Sequence, residues 1–337
     1  MIRHQIIRRL SLEAGGVLEY AHIAFHTSQP EWDGRRRVVW ICHPLTSDSN
    51  PEQWWPGLVG PGKAVDTERD FVVCINYIGS PFGSECAASV NPATGKPWLL
   101  DFPRVTCHDS VAAAIEVRKA LGIDHIDLLL CPSCGGFLGI DWAIEEHDLF
   151  RRCVFMATAP RCTPYLSATM ENQRMALEAD PTFREAKDVH GGAAGLACAR
   201  AQARLSYRSF ESYGLSQAET DPEFLFATRV ASYQRHQGEK FVQSGFDAYS
   251  FWSICNIYDS LNVGRGRGGL EKALAMITAQ TTVLAMSTDQ IFPPIDGEFW
   301  SALIPGADFH VIPTKYGHDG FLVEIDAIAP YVLRQRT

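Results

Sequence analysis

The sequence has no apolar run of about 18 residues, the length a helix needs to cross a bilayer, so no membrane-spanning helix is expected. It has no surplus of basic charge: 30 Lys and Arg stand against 39 Asp and Glu, a net charge of −9. That balance argues against nucleic acid or an anionic membrane as the main partner, since both demand a positive surface. The opening MIRHQIIRRLSLEAGG is basic but holds no unbroken apolar stretch of about 7–15 residues, so it does not read as a secretory leader. Internal repeats and low-complexity tracts are missing. With 46% hydrophobic and 20% charged residues the chain is too apolar to be disordered. Its ten cysteines, in 337 residues with no expected leader, read as mostly buried thiols of a reducing compartment. The expected location is the cytoplasm.

What the sequence does have is alternation. Residues 17–27 alternate and suggest a strand, and short β-branched runs bounded by Gly, Pro, Ser or Asp occur at 37–44, 70–79, 125–131, 153–160, 281–288 and 308–314. Such runs mark strands buried on both faces of a parallel sheet. Helical periods lie between them at 108–122, 135–147 and 320–333, with Pro330 expected to bend or split the last. Strand and helix in turn mean an α/β fold with a mostly parallel sheet. The alternation fails between about 161 and 264, which is rich in helix formers and too long for a loop. We therefore expect a core of 1–160 and 265–337, with a helical lid at 161–264. Segment 46–66 is a long loop rich in Pro and Gly, a kind that usually has a function.

One stretch carries chemistry: Cys131-Pro132-Ser133-Cys134-Gly135-Gly136, between a strand run and a helix run. Two readings compete. In the first it is a nucleophile elbow, normally G-x-S-x-G, a sharp turn that lifts Ser133 above the sheet. Cys131 stands where the first glycine is usual, and it carries a Cβ. In the second, Cys131 and Cys134 form a C-x-x-C redox pair at a helix N-terminus, where a thiolate is stabilised.

The elbow makes a demand the redox pair does not. An acid and then a histidine must follow at the ends of later strands. Asp289 follows the run at 281–288, and His318 follows the run at 308–314. In that order His318 accepts the Ser133 proton and Asp289 fixes the imidazole tautomer. An acyl-transfer site also needs oxyanion donors. The amide of Cys134 and that of Leu45, in the loop after the second strand run, are the candidates. His43 in that loop is read as shaping it rather than as a base.

On these residues the chain resembles the homoserine O-acetyltransferase family of the α/β-hydrolase fold, over about residues 15–325. The matching stretches are Cys42-His43-Pro44-Leu45-Thr46-Ser47-Asp48-Ser49, Trp54-Trp55-Pro56-Gly57 through Gly60-Pro61-Gly62-Lys63-Ala64, and Asp66-Thr67. Gly79-Ser80-Pro81-Phe82-Gly83-Ser84, Asn91-Pro92-Ala93-Thr94-Gly95-Lys96-Pro97, Asp101-Phe102-Pro103 and Tyr316-Gly317-His318-Asp319-Gly320 also match. The resemblance implies an α/β-hydrolase fold with an inserted helical lid and a metal-free ping-pong reaction. Ser133 takes the acyl group from acetyl-CoA or another acyl-CoA, used as co-substrate with no cofactor permanently bound, and passes it to an amino-acid hydroxyl. It further implies that Arg200, Tyr207 and Asp319 contact the acceptor, and that the protein is a homodimer paired through the lid. Arg204, one turn from Arg200, is expected on the surface. The family usually has two small residues before the serine and Leu or Met after it. Cys131-Pro132 and Cys134 depart from that, which leaves open the donor, the acceptor (homoserine, serine or another hydroxyl) and simple hydrolysis.

Overall fold

The computed structural model describes residues 1–333. Its main sheet has eight strands: β1 (Ile2–Ser11), β2 (Val17–Thr27), β3 (Val38–Cys42), β4 (Phe71–Ile75), β5 (Leu128–Pro132), β6 (Arg152–Met156), β7 (Gln280–Met286) and β8 (Asp308–Ile312). Their order across the sheet is β1-β2-β4-β3-β5-β6-β7-β8. The β1–β2 and β2–β4 pairs are antiparallel, and the remaining pairs are parallel. The expectation of a mostly parallel α/β sheet holds.

The sequence runs are short and apolar because both faces of the inner strands are covered. In β3, Val38, Trp40 and Cys42 enter one core cluster while Val39 and Ile41 enter the other. Period-two alternation therefore sorts side chains between two dry layers rather than between core and solvent. The edge strand β1 was not among the expected strands. Its burial alternates weakly, with only Ile7 and Leu10 reaching the core, because one side of this strand has no sheet partner.

Helix α1 (Cys107–Ala120) begins with a capping box, in which Thr106 and Asp109 satisfy each other's backbone amides. Helix α2 (Cys134–Glu145) follows β5 at once. Between β6 and β7 the chain forms α3 (Pro164–Glu178), α4 (Ala193–Tyr207), α5 (Phe210–Gln217), α6 (Thr228–Val242) and α7 (Ala248–Ser260), with no strand of the main sheet. Helix α8 (Pro294–Ser301) links β7 to β8, and α9 (Ile325–Leu333) ends the described chain. Pro330 lies inside α9, whereas the break in the tail falls at Glu324, between Gly320–Val323 and α9. Pro330 therefore does not split the helix.

The loop at 46–66 is a buttress. Leu58, Val59 and Val65 are buried in the second core cluster with Trp55, whose Nε1–H donates to the Phe321 carbonyl at 3.1 Å. Gly57 packs so closely on α9 that a Cβ there would meet Ile325 at 2.9 Å. Only Thr46 and Ser47, at the start of this loop, reach the cavity described next.

Candidate active site

Parallel strands in register end together. Pro132 pairs with Met156, Met156 with Leu284, and Met286 with Ile312. Ser133, Asp289 and His318 each lie a few residues past the carboxyl end of β5, β7 or β8, so one edge of the sheet gathers all three. Sites of α/β folds form at this edge.

Ser133 adopts φ 54°, ψ −128°, a conformation that costs a non-glycine residue about 1–3 kcal/mol. The surroundings hold it there. Its amide donates to the Met156 carbonyl at 2.8 Å, and α2 begins on the next residue. The turn is possible because the residues after it are bare. A Cβ on Gly135 would lie 2.0 Å from the Cys42 carbonyl oxygen, and one on Gly136 would lie 2.3 Å from Thr158 Oγ1. Cys131, the unusual residue before the turn, has its room made by Gly139, where a Cβ would stand 2.3 Å from the Cys131 sulfur.

The three side chains form one hydrogen-bonded line. His318 Nδ1–H donates to Asp289 Oδ2 at 2.7 Å, and Ser133 Oγ–H donates to His318 Nε2 at 2.7 Å. The tautomer follows from the carboxylate, which can only accept. The other Asp289 oxygen accepts from the amides of Ile291 and Phe292 at 2.8 and 3.1 Å. Two loops are stitched together to keep this geometry: Thr288 Oγ1 donates to the Thr314 carbonyl and accepts from the Gly317 amide. Phe292, Phe321 and Tyr207 surround the imidazole, with ring centroids 5.3–5.8 Å from it.

Leu45 lines the same cavity as Ser133 and His318. Its loop is fixed from two sides. The Leu45 carbonyl accepts from Tyr77 Oη at 2.9 Å, and His43, stacked on Tyr77, donates Nδ1–H to the Pro44 carbonyl at 2.8 Å. Burial pushes the His43 pKa down to about 4, so the ring stays neutral and serves the loop. Among the described residues neither the Leu45 nor the Cys134 amide donates to another group.

The redox reading fails on physical grounds. Cys131 and Cys134 are both free and buried. Burial raises the Cys131 pKa well above the ordinary thiol value and pushes that of Cys134 up to about 12. A redox pair needs an accessible, acidified thiolate.

Helix α4 covers the cavity. Arg200, Arg204 and Tyr207 fall on one face of it by helical spacing, and all three line a cavity of about 80 Å³ together with Ser133, His318 and Asp319. The Arg200 guanidinium lies over the rings of Phe241 (4.7 Å) and Tyr207 (5.6 Å). Its Nη1 is buried with no hydrogen-bond partner among the described residues. Burial lowers its pKa, and the charge of neighbouring Arg204 adds to that.

Arg204 is not on the surface. Its Nη1 donates to Asp319 Oδ2 at 3.0 Å and its Nη2 to Tyr233 Oη at 3.2 Å. The expectation of a surface position is corrected, because α6 and the His318 loop pack over that face and supply both partners. Tyr233 and Phe241, both on α6, were likewise not foreseen. The available signal was the four-residue step from Arg200 to Arg204. Ser209, just past α4, donates its hydroxyl to the Lys315 carbonyl, tying the helical layer to the loop that carries His318. A larger groove of about 920 Å³ between α3 and α4 contains none of the residues singled out from the sequence.

A family model described as the alpha/beta hydrolase fold matches residues 37–325. A homoserine O-acetyltransferase of Cyclobacterium marinum is 34% identical over 96% of this chain and 92% of its own. The crystal structure of homoserine O-acetyltransferase from Bacillus anthracis superposes with a TM-score of 0.89 at 22% identity, covering 99% of this chain and 98% of that one. An acetylester hydrolase from Corynebacterium glutamicum gives 0.87 at 23% identity, with coverage of 99% and 95%. Those two structures establish the fold, and the 34% sequence relative goes further: the chain belongs to the homoserine O-acetyltransferase family of α/β-hydrolase-fold acyltransferases.

Proposed function

We propose that the protein transfers an acetyl group from acetyl-CoA to the side-chain hydroxyl of L-homoserine, giving O-acetyl-L-homoserine and CoA, a step of methionine synthesis. One observation carries this reading. Arg200, whose Nη1 is buried without a hydrogen-bond partner among the described residues, lines one cavity with Ser133 and His318, and these two form a hydrogen-bonded line with Asp289. A plain hydrolase needs the line but not the guanidinium, whereas an acceptor with a carboxylate needs both.

In this reading Ser133 Oγ attacks the thioester carbonyl while His318 Nε2 takes its proton. Asp289 stabilises the imidazolium. The amides of Leu45 and Cys134, free of other partners, meet the oxyanion. The imidazolium proton passes to the departing CoA sulfur, leaving acyl-Ser133. The acceptor hydroxyl then gives its proton to His318 and attacks the acyl carbon, which is ping-pong order. Arg200 orients the acceptor carboxylate through its planar fork, with Tyr207 beside it and Asp319 at the acceptor's polar end. The small cavity beneath the helical layer keeps water from the acyl-serine, which separates transfer from hydrolysis. We take residues 161–264 as this lid, over a core of 1–160 and 265–337.

The test is thiol release from acetyl-, propionyl- and succinyl-CoA, each with homoserine, serine or no acceptor, in wild type and Ser133→Ala. We expect homoserine-dependent release with acetyl-CoA and none in S133A. Release independent of any acceptor identifies a hydrolase and overturns the proposal, as does transfer by S133A near the wild-type rate.

We further propose a cytoplasmic homodimer. The free cysteines fit a reducing compartment. Phe210 and Leu215 on α5, and Leu225 and Phe226 just before α6, are exposed apolar side chains that support pairing through the lid. Light scattering that gives a monomer at micromolar concentration removes the dimer.

A further inference from the structure

In the acyl-transfer reading above, two amides from distant parts of the chain meet the oxyanion. Leu45 lies in the loop after β3, and Cys134 is the first residue of α2. One phenol touches both residues. Tyr77 is buried just past β4. Its Oη–H donates to the Leu45 carbonyl at 2.9 Å, and the same oxygen accepts from the Cys134 thiol at 3.8 Å. The hydrogen bonds run in one direction, from Cys134 Sγ to Tyr77 Oη to the Leu45 carbonyl. Burial raises the Tyr77 pKa well above its ordinary value and that of Cys134 to about 12, so both groups stay donors at neutral pH.

The neighbouring peptide unit is fixed as well. A peptide unit is planar and trans, so its C=O and N–H point in opposite directions. His43 Nδ1–H donates to the Pro44 carbonyl, and that carbonyl belongs to the same unit as the Leu45 N–H. His43 thereby sets the direction of the oxyanion donor. The His43 ring is stacked on Tyr77, with centroids 4.3 Å apart and planes inclined by 21°. Tyr77 sets the following unit, Leu45–Thr46, through its own hydroxyl. Both peptide units that flank the Leu45 Cα are held, and both holds meet at one ring. Tyr77 does not line the cavity itself, so it acts through the residues it ties together.

We propose that Tyr77 is a positioning residue for acyl transfer: its hydroxyl ties Leu45 to Cys134 and sets the spacing and direction of the two amides that stabilise the oxyanion. The proposal rests on the acyl-serine reading. It also gives the departure at Cys134 a role, since an aliphatic side chain after the nucleophile has no proton to donate to the phenol. Donors of this kind act because they are aimed before the charge develops. Loosening the tie leaves both amides present but poorly aimed, which slows the chemical step without weakening ground-state binding.

The experiment uses Tyr77→Phe, which removes one oxygen and keeps the ring on His43. Three quantities are read: the rate of the thiol burst from acetyl-CoA, the affinity for CoA by calorimetry, and inhibition by methylboronic acid. The last probe imitates the tetrahedral intermediate. Ser133 Oγ bonds to boron, its proton goes to His318, and a boronate oxygen takes the oxyanion position. Losing a whole oxyanion donor costs about 10²–10³ in rate, so misaiming should slow the Y77F burst about 10- to 100-fold. Methylboronic acid should weaken in parallel, with CoA affinity within threefold of wild type. Cys134→Ala keeps the amide and removes only the thiol link, and it should lower burst rate and boronate affinity at least threefold. A Y77F burst within threefold of wild type overturns the proposal. So does a slower burst with unchanged boronate inhibition, or a loss shared equally by CoA binding, because each marks general loosening. If Y77F does not fold, C134A decides, and wild-type burst and inhibition in that variant overturn the proposal. A wild-type enzyme without any burst is a different failure, since it removes the acyl-serine reading itself.

Discussion

Replacing Arg200 by alanine separates binding from folding. The guanidinium has no hydrogen-bond partner on Nη1 and is held only by the faces of Phe241 and Tyr207. Each such ring contact contributes about 0.5–2 kcal/mol. Against that stands the cost of burying a charge, several kcal/mol, which the nearby Asp319 carboxylate offsets only in part. The two oppose each other, so R200A should be about as stable as wild type or slightly more so. For a chain of this length about 1 kcal/mol moves Tm by roughly 1–2 °C. Function should respond differently. A hydrogen bond to a charged group contributes about 1.5–3 kcal/mol, so the acceptor kcat/KM should fall about 10- to 150-fold. Acylation of Ser133 by acetyl-CoA does not use the acceptor carboxylate, so the thiol burst should keep its amplitude and rate. Calorimetry, a rapid-quench burst and an acceptor titration measure the three quantities on one preparation. A Tm drop beyond about 3 °C together with loss of the burst would refute the reasoning and make Arg200 a structural residue. An acceptor kcat/KM within threefold of wild type would refute it from the other side.

Three further outcomes are expected. Asp289→Asn should lower kcat by about 10⁴ with little change in melting, since it removes the acceptor that fixes the His318 tautomer; a loss under tenfold would take Asp289 out of that role. Gly135→Ala places a Cβ 2.0 Å from the Cys42 carbonyl oxygen, so denaturant titration should show at least about 1–3 kcal/mol of lost stability; an unchanged midpoint contradicts the close crossing. His43, with a pKa pushed down to about 4 by burial, takes a proton less readily folded than unfolded, where the value is about 6.5. Its contribution is therefore present above about pH 6.5 and lost as pH falls toward 4, on the order of 2 kcal/mol by pH 5. His43→Asn should flatten the stability difference between pH 7.5 and 5, and an equal slope in both proteins would discard the buried-imidazole account.

The inner strands of the parallel sheet were legible because they are buried on both faces, which writes a short apolar run into the chain. Strand β1 was missed for the converse reason, because with only Ile7 and Leu10 in the core it leaves little apolar pattern. The tail shows a limit of local rules. Pro330 is tolerated within α9 while the chain breaks at Glu324, where the second core cluster begins to take up Ile328 and Val332. Ser133, Asp289 and His318 could be selected from order alone, since each follows a strand run. Their hydrogen-bonded distances are a property of strand register and of the Thr288–Thr314–Gly317 stitching, which no linear pattern carries.

The sequence by itself determined the parallel part of the sheet, the position of the turn that strains Ser133 and the presence of an arginine and a tyrosine seven residues apart on one helix face. Only the tertiary structure decided that Cys131 and Cys134 are inert, because their burial depends on chain segments far from them. It alone decided that Arg204 faces inward. Charge pairing across a cavity is set by which helix lies opposite, and the side chains that meet Arg204, Asp319 and Tyr233, come from two distant parts of the chain.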